Sequence, residues 1–287
     1  MKIGIVGAEN SHTAAIAHVL NVDRAVRGFS VDCVWGETPA AARKAAKYGK
    51  IPHIVTDPKQ MLDQVDAIVV DHRHPRHHLQ AARPFIAAGL PTFIDKPFCW
   101  RSREGEQFLA FAGKHRTPVT SFSTLPFQRS AGHFKRKMAD LGEIRGGAIY
   151  GPCDPKSPWG GIFFYGIHHV QIALHLFGED VSSVLVTRNR DKKCTTGQLL
   201  YSDGKIVTLA FLHSQGGRFA MMAAGANGLL CRQLKYDKNI YLAGIRTFTR
   251  MFRTGVEPVT HDRILKPIRI LEALNRSMRS KQTEKIL

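Results

Sequence analysis

The chain opens on an apolar run closed by glycine, Lys2-Ile3-Gly4-Ile5-Val6-Gly7, and the same pattern recurs as far as residue 122. Each short apolar run stops at glycine, aspartate or proline, and a segment with apolar residues at helical spacing follows. The pattern predicts strands at 2–7, 29–35, 51–55, 66–71, 92–94 and 118–122. Helices are predicted between them at 13–20, 39–48, 57–62, 75–88 and 101–114. Asn10 or Ser11 can cap the first helix, and Gly89 closes the fourth. The run Asp66–Asp71 (DAIVVD) lacks polar alternation, as a strand covered on both faces does. Strands alternating with helices of this length require a parallel, doubly wound sheet. Residues 1–122 are therefore expected to form a Rossmann-type dinucleotide-binding domain.

Beyond residue 122 the pattern changes. A helix at 130–141 leads through Gly142 to a strand at 147–151, a Pro/Gly-rich loop at 152–161 and a helix at 167–177. Strands then follow one another at 181–189, 197–201, 206–213, 219–224 and 228–236, with hairpin turns at Ser202-Asp203-Gly204 and Gly225–Asn227. A run of strands without helices between them predicts an antiparallel sheet. Two helices, near 241–253 and 261–279, close the chain. The fold class expected is α/β followed by α+β, with the second domain at 123–287 carrying an open-faced, mostly antiparallel sheet.

Composition narrows the class. The chain has 287 residues, with 44% hydrophobic and 22% charged, the balance of a soluble globular protein. No apolar run approaches membrane-spanning length, and the opening residues read as a strand rather than a signal peptide. Five scattered cysteines (33, 99, 153, 194 and 231) without a CxxC pair fit reduced thiols and a cytoplasmic location. The net charge of +18 raises nucleic acid as a partner. However, its locally dense segments (Arg116, Phe134–Lys137, Arg188–Lys193 and the C-terminal tail) are not interleaved with aromatics. The excess is read as a solvated surface that attracts anions, with neither nucleic acid nor membrane as the partner.

Two stretches carry candidate chemistry. Thr92–Ile94 delivers Asp95-Lys96-Pro97, and Pro97 cannot extend a ladder, so Lys96 falls at the sheet edge where ligands bind. Asp71-His72-Arg73-His74-Pro75-Arg76-His77-His78 packs four histidines and an aspartate into eight residues. A metal site is one reading of it, but the placement after a Rossmann strand favours a cationic rim of Arg73, His74 and Arg76 that recruits an anion. No metal is expected.

Taken in order, these pieces resemble the Gfo/Idh/MocA family of NAD(P)-dependent oxidoreductases over nearly the whole chain. The resemblance rests on the opening IGIVG, Asp66–Val70 with His78 on the next helix, Ala87-Ala88-Gly89, and Asp95-Lys96-Pro97 in place of Glu-Lys-Pro. It continues in Leu141-Gly142-Glu143-Ile144, Gly166-Ile167-His168 and Gly255-Val256-Glu257-Pro258-Val259-Thr260. It implies hydride transfer between NAD or NADP and a hydroxyl of a sugar, cyclitol or similar polyol, with homo-oligomers formed on the C-terminal sheet. Carried over by position, Lys96 stabilises charge on the reacting oxygen and His168 is the base. The family's aspartate four residues earlier is Phe164. The cofactor residues implied are Gly7, Ala8, Asn10, Ser11, His12, Glu37, His74, Asp95 and Lys96. Trp159, Tyr165 and His169 join Lys96 and His168 as substrate candidates.

The departures fall in the phosphate loop. Of the glycine triplet only Gly7 remains, with Glu9 and His12 in the other two places. The usual ribose-binding acid is Gly36, with Glu37 adjacent and Arg43 further along, so NAD and NADP both stay open. The arginine common after the sixth strand gives way to Ser123-Thr124-Leu125. The rival expectation is a catalytically silent member that binds a sugar-like or anionic ligand or a partner protein.

Overall fold

The computed structural model describes residues 1–188, 193–213 and 216–287. The end of one expected strand, Asn189, and most of the basic run Arg188–Lys193 lie outside the described residues. In chain order the first elements are β1 (Lys2–Val6), α1 (Ser11–Ala17), β2 (Ser30–Trp35), α2 (Pro39–Gly49), β3 (His53–Ile54) and β4 (Ala67–Val70). They continue with α3 (His78–Ala87), β5 (Thr92–Ile94), α4 (Ser102–Lys114) and β6 (Val119–Thr120). The next group is α5 (Arg129–Lys137), β7 (Ile144–Pro152), α6 (Ile162–Phe177), β8 (Val181–Arg188), β9 (Cys194–Tyr201) and β10 (Ile206–Leu212). The last are β11 (Ala220–Gly225), β12 (Gly228–Gln233), α7 (Leu242–Thr254), α8 (His261–Ser280) and β13 (Glu284–Lys285).

The chain divides into two compact units, Met1–Phe122 with Tyr241–Leu265, and Ser123–Ile240 with Lys266–Leu287. The first unit is a parallel sheet in the order β3-β2-β1-β4-β5-β6, a doubly wound arrangement. Every residue of β4 is buried, which explains its unbroken apolar run. Thr38 caps α2 by accepting from Ala41 N–H, with Pro39 at the first helical position. Asn10 precedes α1 without capping it, because its side chain is used elsewhere. Helix α7 was expected in the second domain but packs here. Its Ile245, Phe248, Met251 and Phe252 sit in one core with Ile3, Ile5, Phe93 and Phe122, and the rings of Phe93 and Phe248 stack 4.6 Å apart.

The second unit is a seven-stranded sheet in the order β12-β11-β7-β10-β9-β8-β13. Its pairs are antiparallel except for β7 and β10, which run parallel. The sheet is thus mostly antiparallel, as expected; the exception arises because α6 intervenes between β7 and β8, and such a crossover allows parallel neighbours. Helix α6 starts at Ile162, five residues earlier than its apolar pattern suggested (167), because Gly161 (φ +59°) ends the preceding loop. Strand β12 stops at Gln233 rather than running to 236, since Lys235 turns to Ser130, whose hydroxyl donates to its carbonyl at 2.7 Å. Gly147 of β7 has no room for a side chain: a Cβ would lie 2.3 Å from the Phe177 ring and 2.4 Å from the Met222 carbonyl. Among the described residues no helix is long and apolar enough to cross a membrane.

Candidate active site

The first unit gathers its polar side chains at the carboxyl ends of β1, β4 and β5. Gly7 closes β1 with φ +106°, and a Cβ on it would stand 2.6 Å from the His72 nitrogen and 2.7 Å from the Asp71 carbonyl carbon. Only glycine fits there. Glu9, at the second glycine position, folds its carboxylate back onto the main chain. One oxygen accepts from Ala8 N–H at 3.0 Å, and the other accepts from Thr38 N–H at 2.7 Å. One backbone donor of the phosphate loop and one at the start of α2 therefore converge on an anion that the chain itself supplies.

Behind this loop two buried carboxyls sit in one network. Asn10 donates to Asp71 at 2.8 Å and to Asp95 at 3.2 Å. His12 Nδ1 lies 3.1 Å from both oxygens of Asp95, with its ring edge-on to Tyr241. Lys96, only 7% exposed, places Nζ 3.2 Å from Asp95. Burial would raise Asp95, but His12 and Lys96 outweigh it and hold the carboxyl below the usual carboxylate range. Asp71 goes the other way, pushed well above that range by burial and by the charge of Asp95. Proton counting agrees. Thr13 Oγ1 lies 2.6 Å from the Gly7 carbonyl and 2.5 Å from Asp71 Oδ2, yet a hydroxyl has one proton. With Asp71 as a neutral acid, Thr13 donates to Gly7 and Asp71 donates to Thr13. The environments of the two carboxyls are thus split into one acid and one ion.

The histidine run is distributed rather than clustered on an ion. His72 Nδ1 meets Glu37 at 2.5 Å, while its buried Nε2 has no hydrogen-bond partner among the described residues. His74 stacks on Trp100 at 4.4 Å, and burial together with Arg76 pushes it down to about 4. His78 is fully enclosed, with its two nitrogens 2.8 Å from the Pro97 and His72 carbonyls. Among the described residues the one trio of ligating side chains within 4.8 Å of each other is His12, Asp71 and Asp95. Its atoms are already spent on internal hydrogen bonds, with the Lys96 ammonium beside them, which opposes a cation.

In the second unit His168 lies on α6, 9% exposed. Its Nδ1 is 2.7 Å from the hydroxyl of Ser123, which also accepts from Leu125 N–H at 3.1 Å, while Ser123 N–H donates to Gln171 at 2.7 Å. Tyr165, 39% exposed, sets its ring 5.6 Å from His168, and Phe164 packs against Tyr165. Trp159 lies in the loop before α6, its N–H on Ser157. His169 is not a surface residue: it is 0% exposed between Phe211 and Phe219, with Nε2 3.2 Å from the Ala210 carbonyl. One helical step separates it from His168 and turns it into the core. From the sequence, Asp71 figures as chemistry only within the histidine run and Ser123 only in place of an arginine, so neither receives a role of its own. A polar residue ending an apolar run was the signal for the acid, Asp71; an isolated serine gives none.

Residues 1–122 match the model of an oxidoreductase family with an NAD-binding Rossmann fold. No curated protein sequence matches the chain. Among solved structures, the myo-inositol 2-dehydrogenase of Lactobacillus plantarum superposes with a TM-score of 0.85 at 19% identity, over 100% of this chain and 99% of that one. The scyllo-inositol dehydrogenase of Lactobacillus casei, solved with NAD(H) and scyllo-inositol, gives 0.86 at 16% over 100% and 99%. An oxidoreductase of Agrobacterium radiobacter, in complex with NAD+, L-tartaric acid and magnesium, gives 0.83 at 15% over 100% and 98%. At these identities the likeness is one of fold.

Proposed function

We propose that the chain, whose residues 1–122 match the model of the Gfo/Idh/MocA oxidoreductases, oxidises or reduces a CH–OH group of a polyol, with a cyclitol as first choice. The cofactor is NAD or NADP. Its fit rests on the turn after β1, where Gly7 passes close against the Asp71–His72 backbone and the N–H groups of Ala8 and, from the start of α2, Thr38 cradle a carboxylate. Ala8, Asn10, Ser11 and His12 would face the pyrophosphate side, Glu37 the adenosine ribose, and His74, Asp95 and Lys96 the nicotinamide side. When bound, the nicotinamide accepts or donates the hydride.

The chain's own residues supply the rest. Lys96 is held as a buried cation against ionised Asp95, so its ammonium is placed to offset charge that develops on a substrate oxygen. This buried pair, at the carboxyl end of β5 in a NAD-binding fold, is the observation that carries the reading. In the second unit His168, held by Ser123, is the proposed base, and Trp159 and Tyr165 are proposed to supply apolar and aromatic surface for a ring. The inositol dehydrogenases among the structural neighbours support a cyclitol.

The test is fluorescence titration with NADH and NADPH, followed by turnover of myo- and scyllo-inositol. One dinucleotide should bind saturably, and Lys96→Ala should cost on the order of a thousandfold in kcat while circular dichroism shows a folded protein. Binding of neither dinucleotide, or wild-type turnover by folded Lys96→Ala, overturns the assignment.

A further inference from the structure

Ligands of a doubly wound sheet bind at the carboxyl ends of its strands, where Asp95 and Lys96 lie. The first unit also holds a cleft of about 470 Å³ at the opposite end, beside the start of β2 and the loop before β3. That volume suits a small molecule. Part of its lining is apolar: Leu20, Phe29 and Val31, all nearly fully buried. Arg24, Arg27 and Lys50 line it as well, and all three are exposed. The carboxylates of these stretches are matched elsewhere. Asp32 lies 3.5 Å from the Lys2 ammonium, and Asp23 lies 3.5 Å from His18 Nε2. Among the described residues no ion pair engages Arg24, Arg27 or Lys50.

Two of these cations sit on backbone that a side chain disfavours. Arg24 and Lys50 have φ +50° and +48°, two of the four non-glycine residues with positive φ among the described residues. Lys50 ends α2, at a position that glycine fills at least cost. Neighbours hold the arrangement in place. Asn21 donates to the Val31 and Lys50 carbonyls at 2.9 and 3.2 Å and accepts from Val31 N–H at 2.8 Å. Arg253 of α7 donates to the Arg27 carbonyl at 3.1 Å. The walls of the cleft are thus tied to β2 before any ligand arrives, which lowers the cost of binding. Strained non-glycine backbone collects at ligand sites. We propose that this cleft binds a phosphate monoester with an apolar organic part, its phosphate among Arg24, Arg27 and Lys50 and its organic part on the apolar lining. Three unmatched cations in a chain of net charge +18 favour a dianion. Inorganic phosphate would leave the Leu20–Phe29–Val31 surface unused. The site stands apart from the activity proposed above, at the other end of the same sheet.

The test titrates the full chain with phenyl phosphate, inorganic phosphate and phenol, followed by proton–nitrogen correlation spectra. Phenyl phosphate should bind saturably, with Kd on the order of 1 mM, and each of the other two about fivefold more weakly or worse. The shifts should centre on the amides of Asn21, Arg24 and Lys50. Glycine suits the backbone of Arg24 and Lys50, so Arg24→Gly and Lys50→Gly should each melt no lower than the wild-type protein. Each should weaken phenyl phosphate by about twofold to fivefold. Arg116→Gly is the control. Arg116 shares the unusual backbone, at φ +53°, but stands before β6, at the opposite edge of the sheet from β2 and β3. This variant should leave binding unchanged. Equal weakening by Arg116→Gly would mean that overall charge alone attracts the anion, and would overturn the site. So would unaltered binding by a folded double variant of Arg24→Gly and Lys50→Gly, or the absence of saturable binding. Inorganic phosphate binding as tightly as phenyl phosphate would overturn the ligand class.

Discussion

Replacing Glu9 by glycine should tighten dinucleotide binding. The wild-type carboxylate holds Ala8 N–H at 3.0 Å and Thr38 N–H at 2.7 Å, so an incoming phosphate or ribose oxygen must displace it from donors at the loop. Each such bond is worth about 1 kcal/mol net. A displaced carboxylate that stays about 6 Å from a pyrophosphate charge adds roughly 1 kcal/mol of repulsion in largely aqueous surroundings. Re-solvation of the displaced carboxylate offsets part of the sum. The net expectation is a gain of about 2 kcal/mol, roughly thirtyfold in Kd. Glu9→Gln removes the charge but keeps one acceptor, because its single amide oxygen can take one of the two N–H groups that the carboxylate oxygens hold. It should gain only a few fold. Calorimetry with NADH and NADPH on the three proteins measures this directly. Equal or weaker binding by Glu9→Gly would show that the carboxylate does not compete. Silence of all three proteins towards both dinucleotides would count against the cofactor site itself.

Other predictions concern stability. Phe248→Ala should cost about 3–5 kcal/mol, because its ring is 2% exposed and stacks on Phe93, and the loss should appear in the denaturant midpoint. Burial pushes His169 from 6.5 down to about 4, so its stabilisation is complete above pH 6.5 and is lost as pH falls towards 4. That loss amounts to about 3 kcal/mol, and His169→Gln should flatten the thermal-midpoint profile over this window. A profile equally steep in the variant would assign the acid limb to other groups. Asp71 has the opposite sign: its raised value means that stability is full below the ordinary carboxyl range and declines as pH rises towards the folded value. Asp71→Asn, which keeps a donor for Thr13 and an acceptor for Asn10, should remove that decline without losing stability at neutral pH.

Much of this was legible from periodicity, since burial dictates it. The parallel sheet follows from apolar runs such as Ala67–Val70, and Lys96 falls at a strand end because Pro97 follows it. What stayed hidden depends on distance along the chain. Helix α7 reads as part of the second half, yet it packs with Phe93 and Phe122 of the first unit. The pairing of β7 with β10 depends on which strands meet, which local pattern does not encode. His168 and His169 look alike in sequence, and one helical step places the second in the core. Ser123 lies 45 residues from His168, so no spacing rule could join them.

The lost glycines and the extra charges belong together. His12 stands where a glycine would let helix and strand approach, and its ring fills that space against Tyr241 while bonding Asp95. The side chain that spoils the glycine motif thus helps to stabilise the ionised acid beside Lys96. Asp71 adds a second carboxyl that two full charges could not share in a buried site, so it stays protonated and spends its hydrogen on Thr13. Glu9 likewise uses the donors that its own presence would otherwise deny to an anion. Each departure meets a partner in the fold, so the loop is rebuilt rather than decayed. A decayed loop would carry unpaired buried polar atoms at these positions, and Glu9, Asn10, His12, Thr13 and Asp71 contribute none. The orphan atom nearby in sequence is His72 Nε2, whose other nitrogen holds Glu37, the residue assigned to the ribose. That pairing ties the adenosine side of the proposed site to the strand end that carries Asp71, so substitutions at Glu37 should be felt through His72 as well as by the cofactor.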